Sequence, residues 1–134
     1  MFVSLYRSML LPIAYLPLQV LRVIGASLGA LAYLVAARAR HVARINIDRC
    51  LPQRSASERA SLLRKSFLST GMALLEACAV WSASPARPLS WVRCTCGDDE
   101  VVKALSLGRG VVCVVPHLGN WEVLNVYLAQ HFGV

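Results

Sequence analysis

The chain has 134 residues, 57% of them apolar, and a formal net charge of +7 from fourteen Lys and Arg against seven Asp and Glu. That length allows one domain of ordinary size and excludes a second full core. The charge points to an anionic partner, but no aromatic base-stacking motif is interleaved with the basic residues, so nucleic acid is not an expected partner.

The apolar excess is concentrated before residue 38. Residues 9–37 are nearly all apolar, and a bilayer-spanning helix needs about 20 such residues at ~1.5 Å rise each. Residues 1–37 are therefore expected to form a membrane anchor. Gln19 and Arg22 oppose insertion: an Arg at mid-membrane costs ~2.5 to 3.5 kcal/mol, against ~0.3 to 0.6 gained per large aliphatic residue. Pro12 and Pro17 can kink the helix or delay its start. A tilted span and a helix lying in the interface both fit, and the uncharged stretch 23–37 favours the span. A cleaved signal peptide fits less well, because its apolar core would be only about 7 to 15 residues. Arg38, Arg40, Arg44 and Arg49 follow the segment and only Arg7 precedes it, which predicts a single pass with the following region in the cytoplasm.

Cys50, Cys78, Cys94, Cys96 and Cys113 are an odd set and a poor disulfide framework, which suits a reducing compartment. Cys94, Cys96, Cys113 and His117 could be read as zinc ligands. Against that, Cys-x-Cys lacks the usual ligand spacing and Cys113 falls in an apolar run, so neither a metal nor a cofactor is expected.

Residues 38–51 read as a short basic helix ending before Pro52. Ser55 and Glu58 form a capping-box pattern ahead of a long helix ending near residues 82–85, with Leu63, Phe67, Leu74, Cys78 and Trp81 on one face. Glu76 lies in the apolar half of that helix, where a carboxylate needs a partner or water, and reads first as a surface residue. The pattern then changes to strand, helix, strand, helix, which predicts the start of a parallel α/β layout over residues 38–134. The expected strands are 91–96 and 111–115. Between them, Gly97, Asp98 and Asp99 start a helix that Gly108 stops.

Pro116-His117-Leu118-Gly119-Asn120-Trp121-Glu122 follows the second expected strand, at the edge where open α/β sheets place their ligands. On one continuous helix His117 and Glu122, five residues apart, would diverge by roughly 140°. Gly119 permits a turn, however, and Asn120 is a good N-cap. Together they put Glu122 in the first helical turn behind a histidine still in the loop. The carboxylate can then orient the imidazole and raise its basicity, so that the pair removes a proton from a hydroxyl attacking a carbonyl. Backbone N–H groups around Gly119 and Asn120 are candidate binding groups for the substrate's oxyanion. A capping histidine beside an ordinary first-turn glutamate is the alternative on these residues alone.

The run from the apolar anchor through Asn46, Cys50-Leu51-Pro52 and Gly71 to Glu76, and on to Pro-His-Leu-Gly-Asn-Trp-Glu, resembles the late acyltransferases of lipid A biosynthesis. The last segment looks like their His-x4-Asp/Glu motif, shared more loosely with glycerolipid acyltransferases. The resemblance implies a glycerolipid-acyltransferase-like α/β domain, His117 as general base and Glu122 as its partner. It further implies an acyl-carrier-protein thioester as donor, a hydroxyl of a lipid A precursor as acceptor, and a place at the bacterial inner membrane. Members of that family are more than twice as long, so the chain reads as a truncated form with an unfinished sheet. The alternatives are an acyltransferase for another glycolipid or lysophospholipid, and an inactive membrane-anchored fragment.

Overall fold

A computed structural model describes residues 11–108 and 110–133. The first ten residues of the expected anchor, Arg7 among them, lie outside the described residues. Bounded within the described residues are α1 Leu18–Val35, α2 Ala37–Cys50, α3 Ala56–Ser82, α4 Ala86–Leu89, α5 Asp98–Ser106 and α6 Glu122–Phe132. Residues 11–14 are also helical.

Pro17 breaks the apolar segment. The chain turns at Tyr15 and Leu16 and restarts as α1 with Pro17 as its N-cap. Such a break leaves carbonyl groups without intrahelical donors, and Arg87 supplies one, donating from Nη2 to the Leu16 carbonyl at 2.6 Å. Among the described residues, α1 is the one helix long and apolar enough to cross a membrane. Its apolar side chains at Val23, Leu28, Leu31, Leu34 and Val35 are exposed.

The opposite face of α1 packs along α3. Gly25 lies against Gly71, and Gly29 against Phe67 and Leu68. This reversed order makes the two helices antiparallel. A Cβ on Gly25 would come within 2.6 Å of the Gly71 carbonyl oxygen, and one on Gly71 would meet the Gly25 oxygen more closely still. Glycine at all three positions is what allows backbone-to-backbone contact, the mode of small-residue helix packing. At one end of the pair Tyr33 and Phe67 meet edge to face, 5.7 Å between centroids, under the guanidinium groups of Arg40 and Arg64. At the other end Ala14, Leu21, Ala79 and Ala83 form a small buried cluster with Leu75 and Trp91 packed on it.

Local signals set the remaining helices. Helix α2 matches the basic stretch and stops before Pro52. Helix α3 opens on the full capping box: the Ser55 hydroxyl accepts from the Glu58 N–H, and the Glu58 carboxylate accepts from the Ser55 N–H at 2.8 Å. Gly97 and Gly108, both at positive φ, bracket α5. The buried face of α3, however, is Leu63, Gly71, Glu76, Ala79 and Val80, while Leu74 and Trp81 are exposed. The expected face is corrected by the glycine contact, which a single-helix pattern does not contain.

The two expected strands are also corrected. No strand forms among the described residues, and 92–97 and 110–116 are neither helical nor paired. A strand needs a neighbour to take its N–H and C=O groups, and among the described residues none stands beside these segments. Val112 and Val114 are 89% and 91% exposed, and Cys113 between them is an exposed thiol rather than a buried one.

Two carboxylates tie pH to stability. The Glu58 carboxyl is held below its ordinary value chiefly by the Ser55 backbone N–H. The Asp98 carboxyl is lowered by hydrogen bonds from Thr95 and then Tyr127. A depressed folded-state value adds stability that is complete above the ordinary carboxylate range and is lost as pH falls through the lowered one. The melting temperature is therefore expected to drop on acidification below about pH 4.5, and Ser55→Ala, which keeps the backbone N–H and removes only the hydroxyl, should flatten that drop slightly while costing about 1 kcal/mol at neutral pH.

Candidate active site

The last two turns of α3 meet the Pro116 to Glu122 segment at Asn120 and Glu122. Glu76 is 7% exposed. Its Oε1 accepts from Arg22 Nε of α1 at 2.7 Å, and its Oε2 accepts from Asn120 Nδ2 at 3.4 Å. Five residues on, the Trp81 indole N–H donates to Glu122 Oε2 at 3.1 Å. Two side chains of one helix therefore hold two residues of the segment.

Gly119 has φ +61°, a left-handed turn that its missing Cβ makes easy. Glu122 is the first residue of α6 and His117 stays in the loop before it, as the turn requires. Asn120 is not the N-cap. Trp121 takes that position without a capping side chain, and the Asn120 amide is drawn to Glu76 instead. The N–H groups of Gly119, Asn120, Trp121 and Glu122 donate to no backbone carbonyl among the described residues.

His117 is exposed and packs edge to face on Trp121, with ring centroids 4.8 Å apart. No hydrogen bond joins it to Glu122 among the described residues, and Glu122 Oε1 accepts none. An open cleft of about 480 Å³ adjoins the segment, with Arg22, Met72, Glu76, Trp91, Gly119 and Asn120 on its walls. Gly119 and Asn120 thus line the cleft, whereas His117 and Glu122 stand at the loop and helix start beside it. No group of three or more His, Cys, Asp or Glu side chains converges among the described residues.

The profile of the bacterial lipid A biosynthesis acyltransferases matches residues 1–133. The chain belongs to that family. The lipid A biosynthesis palmitoleoyltransferase of Escherichia coli (strain K12) is 35% identical over 108 residues, covering 81% of this chain and 35% of that protein. The lauroyltransferase of lipid A biosynthesis from the same strain is 29% identical over 111 residues, 83% of this chain and 36% of that one. A phosphatidylinositol mannoside acyltransferase of Mycolicibacterium smegmatis is 46% identical over 35 residues, 26% of this chain and 12% of that protein. No solved structure matches the chain. The chain spans roughly a third of the length of the first two relatives.

For this acyltransferase-family chain, sequence reasoning missed the grouping of Arg22, Glu76 and Trp81 around the motif. A signal was present: a lone Arg in an apolar helix and a lone Glu in the apolar half of another each lack a local partner, and their charges are opposite.

Proposed function

We propose that the protein transfers a fatty acyl group from an acyl-carrier-protein thioester to a hydroxyl of a lipid A precursor, with His117 as general base and Glu122 as its orienting carboxylate. The observation that carries this reading is the His-Leu-Gly-Asn-Trp-Glu segment, poised at a cleft in a chain of the lipid A acyltransferase family. Glu122 is steadied by Trp81 through one oxygen and keeps the other for the imidazole N–H. Such a pairing forms as substrate binds, since catalytic hydrogen bonds are often long or unmade in empty sites and tighten in the complex.

The imidazole then takes the acceptor hydroxyl's proton as its oxygen attacks the thioester carbonyl. The tetrahedral oxyanion is placed against the N–H groups of Gly119 and Asn120, and the carrier thiol leaves with the proton returned by the imidazolium. No acyl-enzyme forms. The unpaired segments 92–97 and 110–116 are read as strands of a glycerolipid-acyltransferase-like α/β domain that gain their order by pairing. The anionic carrier and the lipid phosphates suit the arginines of α2 and the start of α3. Helix α1 anchors the protein at the bacterial inner membrane through its exposed apolar face; because its other face packs along α3, it lies in the cytoplasmic interface beside residues 38–134 and does not cross as a lone span.

Glu122→Gln tests the pairing in the full natural protein. The amide keeps the size and the Trp81 contact but loses the charge that supports an imidazolium. Turnover should fall about 100-fold with little change in KM for the carrier donor. Turnover within twofold of the parent would reject Glu122 as the partner. The local likeness to a phosphatidylinositol mannoside acyltransferase favours a second reading with a mannosylated glycolipid acceptor. Offering both acceptors in one reaction and weighing the products separates the two.

A further inference from the structure

We propose that Glu76 is the positioning residue of the motif loop, a buried carboxylate that pairs with Arg22 through one oxygen and with the other holds Asn120, and through Asn120 the His117 turn, against the cleft. The role rests on the reading of His117 as the base. It is argued from an arrangement that stability alone does not explain. Burying a carboxylate costs hydration that one ion pair only partly returns. Here that cost falls on Glu76, which lies on the buried face of α3, while Arg22, the one charge on an otherwise apolar helix, reaches it from a side chain that is 55% exposed. The two groups are 54 residues apart in sequence and meet at 2.7 Å.

The direction of the contacts fits a relay. Arg22 uses Nε on Oε1, which leaves Oε2 as the acceptor for the Asn120 amide. The amide must present its NH2 to the carboxylate, since its carbonyl oxygen there would face like charge. Gly119 beside it is a free hinge, with no atom near the position a Cβ would occupy. A left-handed glycine does not fix a loop by itself. Side-chain anchors on both sides of Trp121 do: Asn120 on Glu76, and Glu122 on Trp81. Cutting the Glu76 anchor frees the hinge while α6 keeps its tie to α3, so the loss is one of geometry at His117, not of the fold.

The test uses the full natural protein reconstituted in membranes and compares Glu76→Gln, Asn120→Ala, the double variant, Arg22→Lys and Arg22→Met. Each of the first two should lower kcat about 10- to 100-fold with KM nearly unchanged. The double variant should fall no further than the worse single, because both cut the same link. Arg22→Lys, which keeps a cation in reach of Oε1, should retain most activity, and Arg22→Met should behave as Glu76→Gln. Amide order parameters of residues 117–121 should fall in Glu76→Gln and in Asn120→Ala alike.

Kinetic effects that multiply in the double variant, or unchanged order parameters at 117–121, would overturn the proposal. If Glu76→Gln does not fold, the Asn120→Ala and Arg22 pair still decides it. His117→Ala, run beside them, separates the two claims. Should it keep full turnover, the base assignment fails while the order parameters still judge the relay.

Discussion

Replacing His117 with alanine should lower kcat for acyl transfer about 1,000-fold in the full natural protein, because a positioned general base contributes ~10² to 10⁴ to such a reaction. Membrane association and melting temperature should stay near the parent values, since the side chain is exposed and packs on the Trp121 ring. Cys113→Ser is the matched control. That thiol is exposed four residues earlier and has no part in direct attack of a hydroxyl on a thioester, so turnover should change less than twofold. Loss of activity in Cys113→Ser together with retention in His117→Ala would point to a thiol nucleophile instead.

Gly71→Val should be the most damaging substitution to the fold. Its first added carbon would collide with the Gly25 carbonyl oxygen and lie 2.8 Å from the Gly29 amide nitrogen. Both neighbours are backbone and cannot rotate away, so α1 and α3 must separate, opening the contact that carries most of the packing between them. Overpacking in a tight core costs up to ~3 kcal/mol, and separation of two helices reaches the top of that range. A fall of about 10 °C in melting temperature is the expected reading. Gly110→Ala, where a Cβ meets nothing within 4 Å, should melt as the parent does. Equal melting of Gly71→Val and the parent would show that the helices do not pack in this way.

The parts of the fold legible in the sequence were those written in neighbouring residues. The Ser55 and Glu58 box, the stop before Pro52 and the glycines around Asp98–Ser106 each act within a turn of the chain, and each helix begins or ends where they direct. The turn at Gly119 was legible for the same reason. What eluded the pattern depends on distant partners. The face of α3 follows from Gly25 and Gly29, about 45 residues earlier, whose backbone it touches. Residues 111–115 have a strand's composition, but strand order requires a hydrogen-bonding neighbour and no local signal supplies one. Asn120 has the chemistry of an N-cap, yet its Nδ2 is turned to the buried Glu76 carboxylate at 3.4 Å, its Oδ1 meets no partner among the described residues, and Trp121 takes the cap position. The tie between Trp81 and Glu122 was equally invisible, for the indole sits on a face of α3 that a single-helix pattern assigned to the core.

The central claim is direct acyl transfer to a lipid hydroxyl, and product mass tests it most directly. The full natural protein is mixed with an acyl-carrier-protein thioester and a lipid A precursor bearing a free acyl-chain hydroxyl. Lipid and intact protein are then weighed after one turnover. The expected result is a lipid heavier by one acyl group, an unmodified enzyme, and no product from a precursor lacking that hydroxyl. Release of free fatty acid with the lipid unchanged, or an acyl group left on the protein, would contradict it.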